Sequence, residues 1–216
     1  MADELRLSEQ ELVRRSKMED LRAKGLDPFG HKFIRTANSL KIKEAYLECT
    51  KEELEEKHVE VAIAGRIMSK RRQGKIFMRA DSVSEEDYEL FKVADIGDII
   101  GINGVVMKTQ TGELSVKATK YTHLTKALRP LPEKFHGLQD REEARRRRYV
   151  DLIVNEEARK IAYLRPRIIR GLQKYLDDLG YIEVETPVLS PILGGASARP
   201  FVTHHNTLDM DFYLRI

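Results

Sequence analysis

Gly180-Tyr-Ile-Glu-Val-Glu-Thr-Pro187 runs on into Gly194-Gly-Ala-Ser-Ala-Arg-Pro-Phe201 and Thr203-His-His-Asn206, and the reading of this stretch decides the fold. Before it, Ile168, Ile169, Leu172, Tyr175, Leu176 and Leu179 recur at helical spacing, the pattern of an amphipathic helix. Arg167, Arg170, Lys174, Asp177 and Asp178 take the opposite face. Gly180 stands where a helix needs a left-handed C-terminal cap. Ile182 and Val184 then alternate with Glu183 and Glu185, which predicts a strand. Pro187 donates nothing to a sheet ladder, so it ends that strand or marks a sheet edge. The predicted order is helix, tight turn, strand, proline.

The composition sets broad limits. At 216 residues, the chain has the length of one large or two ordinary domains. It is 41% hydrophobic and 34% charged, with a mean hydropathy of −0.47, which suits a soluble folded protein. No apolar run approaches the roughly 20 residues of a membrane span. The opening Met-Ala-Asp-Glu-Leu-Arg has no apolar signal core. The single cysteine, Cys49, excludes an internal disulfide and a cysteine-rich metal site. A cytoplasmic protein is expected. The net charge of +3 is modest, so only local clustering supports a polyanionic partner.

Four segments follow along the chain. Residues 1–58 form an N-terminal helical extension: one helix over Leu5 to Lys24, ended by Gly25, then one or two short helices between Lys41 and Glu56. Residues 59–127 read as a small β-barrel. Val59, Val61 and Ile63 alternate with small or polar residues, and Gly65 suggests a bulge or bend. A helix is expected over Ser84 to Ala94, capped by Ser82 or Ser84. Asp98–Lys108 and Glu113–Thr122 make a hairpin about Thr109-Gln-Thr-Gly112. Strands, one inserted helix and a hairpin follow the order of an OB-fold. Residues 128–142 are a linker stiffened by Arg129-Pro-Leu-Pro132. Residues 143–216 open a further domain. Asn155 caps a helix with Glu156 and Glu157 in its first turn, and Pro166 is expected to break that helix and start a new one.

The layout at residues 168–187 resembles motif 1 of the class II aminoacyl-tRNA synthetases, in which helix and strand form the dimer interface. The continuation Gly-Gly-Ala-x-Ala-Arg-Pro-Phe, with Thr-His-His-Asn-x-Leu-Asp-Met-Asp-x-Tyr-Leu-Arg-Ile, is similar to the lysyl-tRNA synthetases in particular. Leu128-Arg-Pro-Leu-Pro-Glu-Lys134 and Arg148-Tyr-x-Asp-Leu-Ile153 share the likeness, which spans nearly the whole chain. The resemblance implies an α+β protein: an N-terminal helix, an OB-fold β-barrel that binds the anticodon, and the beginning of an antiparallel class II catalytic domain. The implied reaction is ATP- and Mg2+-dependent activation of lysine and its transfer to tRNA(Lys), by a homodimer with Pro187, Ile169 and Leu172 at its interface. The family's phosphate-binding arginines and magnesium ligands belong to motifs 2 and 3, absent from this sequence, so the chain by itself is expected to be inactive.

Within this chain the resemblance points to Gly195, with Gly194 and Ala196 beside it, as the loop that meets bound lysine. A glycine pair lets backbone approach a ligand closely, though it also suits a plain loop. In the barrel, Ser69-Lys-Arg-Arg-Gln-Gly-Lys75 is the densest basic cluster. Arg66, Lys70, Arg71, Arg72 and Lys75 are candidate phosphate contacts and Phe77 a candidate base platform; a solvated basic turn beside a core phenylalanine is the competing reading. Arg14, Arg15, Lys17, Arg22 and Lys24 on the first helix, and Arg145-Arg-Arg-Arg148 after the linker, fit either proximity to tRNA or a solvated face. One departure stands out. The family's barrel carries a hairpin with a phenylalanine and a Leu-Gln-Asp after its first strand, whereas here Ile76 runs directly into Phe77-Met-Arg-Ala-Asp81. Leu138-Gln-Asp140 has the same letters but belongs to the linker. His204 and His205 are adjacent on a predicted strand and point to opposite faces, so no metal site is expected. Two alternatives stay open: a non-catalytic tRNA-binding fragment or paralogue, and an aspartyl- or asparaginyl-tRNA synthetase.

Overall fold

Ser8, Asn38, Thr50 and Ser84 each turn a side-chain oxygen onto a backbone N–H of the turn that follows. Such caps satisfy donors that no helical carbonyl can reach, and they set where helices α1 (Glu9–Ala23), α2 (Ser39–Tyr46), α3 (Lys51–Lys57) and α4 (Glu85–Val93) begin. The computed structural model describes residues 7–30, 32–70, 75–132, 137–138 and 140–216. Within these, the chain falls into two compact units, Met1–Val154 and Asn155–Ile216.

The first unit is built on a sheet of order β1-β3-β4-β2, with β1 at Glu60–Arg66, β2 at Ile76–Phe77, β3 at Ile99–Lys108 and β4 at Leu114–Thr125. β3 pairs antiparallel with β1 and with β4, while the two-residue β2 runs parallel to β4. The order is open, so among the described residues the strands close no barrel. The ladder of β1 is regular through Gly65, which faces Ile100. The irregularities fall instead in the β3–β4 ladder, between Ile99 and Ile100 and between Asn103 and Gly104. Leu54, Ile102 and Val106 are fully enclosed, packed with Leu21, Ile42, Leu90 and Tyr121. Full burial of such a side chain contributes about 1.5–3 kcal/mol, so α1 to α4 are held on the sheet by one shared core. Two short helices, α5 (Arg141–Arg146) and α6 (Arg148–Val154), end the unit.

The second unit opens with α7, Glu156–Asp178, capped by Asn155. Pro166 lies inside this helix, so the expected break is absent. A proline removes one backbone donor and costs about 3 kcal/mol in a helix interior. The good helix formers on both sides offset that, and the cylinder continues. At its end Gly180, at φ 85°, donates to Asp177 O at 2.8 Å and Tyr181 to Leu176 O at 3.1 Å, the paired bonds of a glycine cap. The strand expected over Ile182–Val184 does not form. Residues 181–187 have no ladder partner among the described residues, and Ile182 is 86% exposed. The sheet here is β5 (Leu189–Ser190), β7 (Met210–Leu214) and β6 (Val202–His205), all antiparallel. Both sheets are thus dominated by antiparallel pairing in a mixed α/β chain.

Candidate nucleic-acid interface and ligand loop

The basic cluster of the first unit divides by what its cations touch. Arg66 ends β1, and its Nη1 donates to Gly97 O at 2.7 Å. Lys70 Nζ donates to Phe91 O at 2.6 Å, Lys92 O at 2.8 Å and Ala94 O at 3.2 Å, and lies 4.5 Å from the centre of the Phe91 ring. These carbonyls close the C-terminus of α4, where the helix dipole favours a cation. All three donors of the ammonium are engaged, and burial holds the Lys70 pKa below its usual value. Arg71 and Arg72 lie outside the described residues.

Lys75 and Phe77 sit across the sheet. Val116 N donates to Lys75 O at 3.0 Å, and Phe77 is in register with Lys117. The Arg66 rung is Ile99 and Thr125, whereas the rung of Lys117 carries Val105 and Glu60. Arg66 and Phe77 therefore occupy diagonal corners of the sheet, with β3 and β4 between them. Register partners share a face, so half-buried Phe77 and exposed Lys117 stand side by side, and exposed Lys120 follows on the same strand. Sequence reasoning missed Lys117 and Lys120. The available signal was their place in the returning strand, where cations interrupt Val116, Ala118 and Tyr121.

The other basic runs are largely matched by acids. Arg146 meets Glu142 at 2.7 Å, Arg147 meets Glu143 at 3.2 Å, and Arg148 pairs with buried Asp151. On α1, Arg22 pairs with Glu19 at 2.9 Å.

In the second unit, Gly194, Gly195 and Ala196 form the exposed connection from β5 to β6. Gly195 adopts φ 113°, and a Cβ there would lie 3.7 Å from Ile216 O. Gly195 thus lies near Ile216, two residues past the end of β7, in a conformation that suits glycine. Arg215 Nη1 donates to Thr186 O at 3.0 Å and to Thr186 Oγ1 at 2.6 Å, and its backbone N donates to Val188 O at 2.9 Å. Pro187 is fixed between those anchors. Ile169 and Leu172 stand exposed on α7. The two adjacent histidines have separate partners: His204 lies between Asp211 at 3.0 Å and Asp209 at 3.3 Å, while His205 packs on Phe212.

Comparison with known proteins then gives the affiliation. Residues 140–216 match the family described as tRNA synthetases class II (D, K and N). The lysine–tRNA ligase of Bacillus cytotoxicus is 55% identical over 224 residues, covering 97% of this chain and 45% of that protein. The lysine–tRNA ligase of Bacillus cereus strain AH187 is 54% identical with the same coverage. Residues 140–216 carry a class II tRNA synthetase domain, and the chain as a whole resembles lysine–tRNA ligases. It spans a little under half the length of these curated relatives. The match to each class II relative runs over 224 residues against 216 here, so the relatives carry positions with no counterpart in this chain.

Proposed function

We propose that this chain is the RNA-binding and first catalytic part of a lysine–tRNA ligase, which activates lysine with ATP and Mg2+ and transfers it to tRNA(Lys). The observation that carries this reading is the 55% identity to a lysine–tRNA ligase over 97% of the chain. That identity also favours lysine over the aspartate and asparagine branches that share the family description.

In this reading the four-stranded sheet is the core of an OB-type domain. Arg66, Arg71, Arg72 and Lys75, joined by Lys117 and Lys120, follow the RNA backbone, and Phe77 offers a stacking face. A base on an aromatic ring is worth about 1–3 kcal/mol, and cations beside it track phosphates. Lys70 adds charge, though its donors are spent on α4. Gly194, Gly195 and Ala196 present backbone to the lysine substrate. The carboxylates that hold Mg2+ are assigned to the rest of the complete protein, because no suitable group of three acidic, histidine or cysteine side chains converges among the described residues. Bound Mg2+ would neutralise phosphate charge during adenylation. Around it, this chain's work is to position RNA and the amino acid. The exposed side of α7 with Pro187 is the proposed homodimer contact, related by a two-fold axis. A cytoplasmic location is proposed with the activity; among the described residues no helix is long and apolar enough to cross a membrane.

The test is lysine-dependent pyrophosphate exchange and tRNA(Lys) charging by the complete protein. Exchange that responds to aspartate or asparagine instead would overturn the assignment. Replacing Arg71 and Arg72 with alanine should weaken tRNA binding and lower its salt slope, by roughly 0.7–0.9 log units for each lost phosphate contact.

A further inference from the structure

Helix α1 carries Glu11, Arg14 and Lys17 at three-residue spacing, which places them along one face. Each reaches a different piece of the sheet unit. Arg14 Nη1 donates to Ala127 O at 2.9 Å, and its Nη2 donates to Ile96 O at 3.0 Å. One planar guanidinium thus bridges the turn after α4 and the exit of β4, a geometry that arginine's fork suits. Lys17 Nζ meets Asp95 Oδ1 at 2.6 Å, and Glu11 meets Arg129 at 3.6 Å.

The contacts continue inward. Asp95 Oδ2 receives Lys126 Nζ at 2.7 Å, and the same ammonium reaches Asp98 at 2.9 and 3.0 Å. Asp98 is fully buried and also accepts from the backbone N–H of Asp95 and of Ala127, each at 2.8 Å. Buried charges persist only when paired and hydrogen-bonded in this way. The turn 94–98 is also where two candidate RNA cations are fastened: Arg66 to Gly97 O, and Lys70 in part to Ala94 O. Ile67 N and Asp98 O close the ladder beside them at 2.9 Å.

We infer that α1 is a positioning clip: Arg14 and Lys17 hold the Asp95–Asp98 turn and the β4 exit, and through that turn they set Arg66 for RNA. This rests on the tRNA-binding reading above. Arg14 and Lys17 are then positioning residues and not phosphate contacts. The acid in the middle of the clip makes the idea separable from simple charge attraction. If Asp95 acted on RNA only as a charge, removing it would strengthen binding. If it anchors the clip, removing it weakens binding.

The experiment uses the complete protein with Lys17→Met, Lys17→Arg and Asp95→Asn, read by tRNA(Lys) charging, the salt dependence of binding and lysine-dependent pyrophosphate exchange. Lys17→Met and Asp95→Asn are each expected to raise KM for tRNA roughly threefold to thirtyfold, the span of typical coupling changes. Pyrophosphate exchange stays at the parent value, the salt slope falls alike in Lys17→Met and Asp95→Asn as the Arg66 contact loosens, and Lys17→Arg restores most of the loss. Lys17 is partly exposed, so Lys17→Met reports even if Asp95→Asn fails to fold. Tighter binding by Asp95→Asn, a salt slope lowered by about 0.7 or more in Lys17→Met but not in Asp95→Asn, or an unchanged KM overturns the clip. The Ala127 amide, bonded to Asp98, should also exchange its hydrogen faster in Lys17→Met. That readout needs no RNA. Failure of the parent protein to bind tRNA would therefore sink the functional reading, whereas an unchanged Ala127 amide would sink the clip.

Discussion

The two units treat their apolar residues in opposite ways. In Met1–Val154, Leu54, Ile102 and Val106 disappear from solvent behind four helices. In Asn155–Ile216, Ala158 is the only buried residue, and Ile168, Ile169, Leu172, Tyr175 and Leu179 are each more than half exposed. The helix of the second unit is nevertheless well formed and well capped. Local propensity and capping can therefore build an element that has no core of its own, and an isolated helix in water is marginal without tertiary packing. The first unit encloses an apolar core; the second presents apolar side chains that residues 155–216 do not themselves cover.

The most drastic way to break this comparison is to separate the units. Residues 1–154 alone should unfold in one cooperative urea transition. Residues 155–216 alone should show helical signal without a sharp transition, and should bind a hydrophobic dye. A sharp transition in the second unit would mean that its exposed face is not an interface. The companion test is in the complete protein, where Ile169→Asp with Leu172→Asp should turn a dimer into monomers on sedimentation and abolish charging. A dimer that survives both changes would place the interface elsewhere.

Charges sharpen the comparison at the next scale. Lys126 is buried against Asp98, while Lys174 pairs with Asp178 on the open surface of α7 at 2.8 Å. Lys126→Met strands a buried carboxylate and should cost about 3–5 kcal/mol. Lys174→Met breaks an exposed pair worth roughly 0.3–0.5 kcal/mol. Urea midpoints of the complete protein measure both, and similar losses would contradict the structure. The first unit should also have an acid limb. Burial works to raise the Asp95 pKa, but hydrogen bonds from Lys126 and Lys17 outweigh it, so the carboxyl sits below its ordinary value. A carboxylate lowered in the folded state contributes stability above its unfolded pKa and loses it as pH falls through the folded value. The loss should therefore begin below about pH 4, and Lys17→Met should make that limb shallower.

Much of this was legible in the sequence where a local rule was sufficient. Ser84, Asn155 and Gly180 placed helix ends, and Thr109-Gln-Thr-Gly112 placed the hairpin turn, because caps and turns are decided by a few neighbouring residues. Three expectations failed for reasons that lie outside their own segment. Alternation at Ile182 and Val184 predicted a strand, but a strand needs a ladder partner, and none pairs with it among the described residues. Pro166 predicted a break, but residues on both sides sustain the helix. Gly65 predicted a bulge, whereas the β3–β4 ladder carries the irregularities. The candidate site was legible as a cluster of cations and not as an arrangement. Nothing near Lys70 in sequence announces that its ammonium ends helix α4, and nothing near Arg14 or Lys17 announces the turn at Asp95. Those contacts join residues far apart in the chain, and only the fold brings them together.

The finest discrimination comes from making one small substitution, glycine to alanine, once in each unit. At Gly104 a Cβ would run into the carbonyl oxygen of Lys117, with a methyl of Val116 2.9 Å away. The obstacle is backbone in a paired strand, so it yields only if the β3–β4 ladder shifts at its irregular point. Overpacking of this kind costs about 1–3 kcal/mol, and Gly104→Ala should lower the urea midpoint of the first unit. At Gly171, in the middle of α7, a Cβ meets nothing within 4 Å. There the glycine only adds backbone entropy to the unfolded chain, and alanine in a helix interior is favoured by up to about 1 kcal/mol. Gly171→Ala should therefore raise the helix content of residues 155–216, measured by far-ultraviolet circular dichroism. The same substitution in the complete protein also probes the proposed twin contact. Unchanged or improved dimerisation means that α7 meets its partner with Gly171 turned away from the contact. Weakened dimerisation, with helix content still raised in the separate unit, means that the partner's backbone or side chains come within a methyl group's reach of this position.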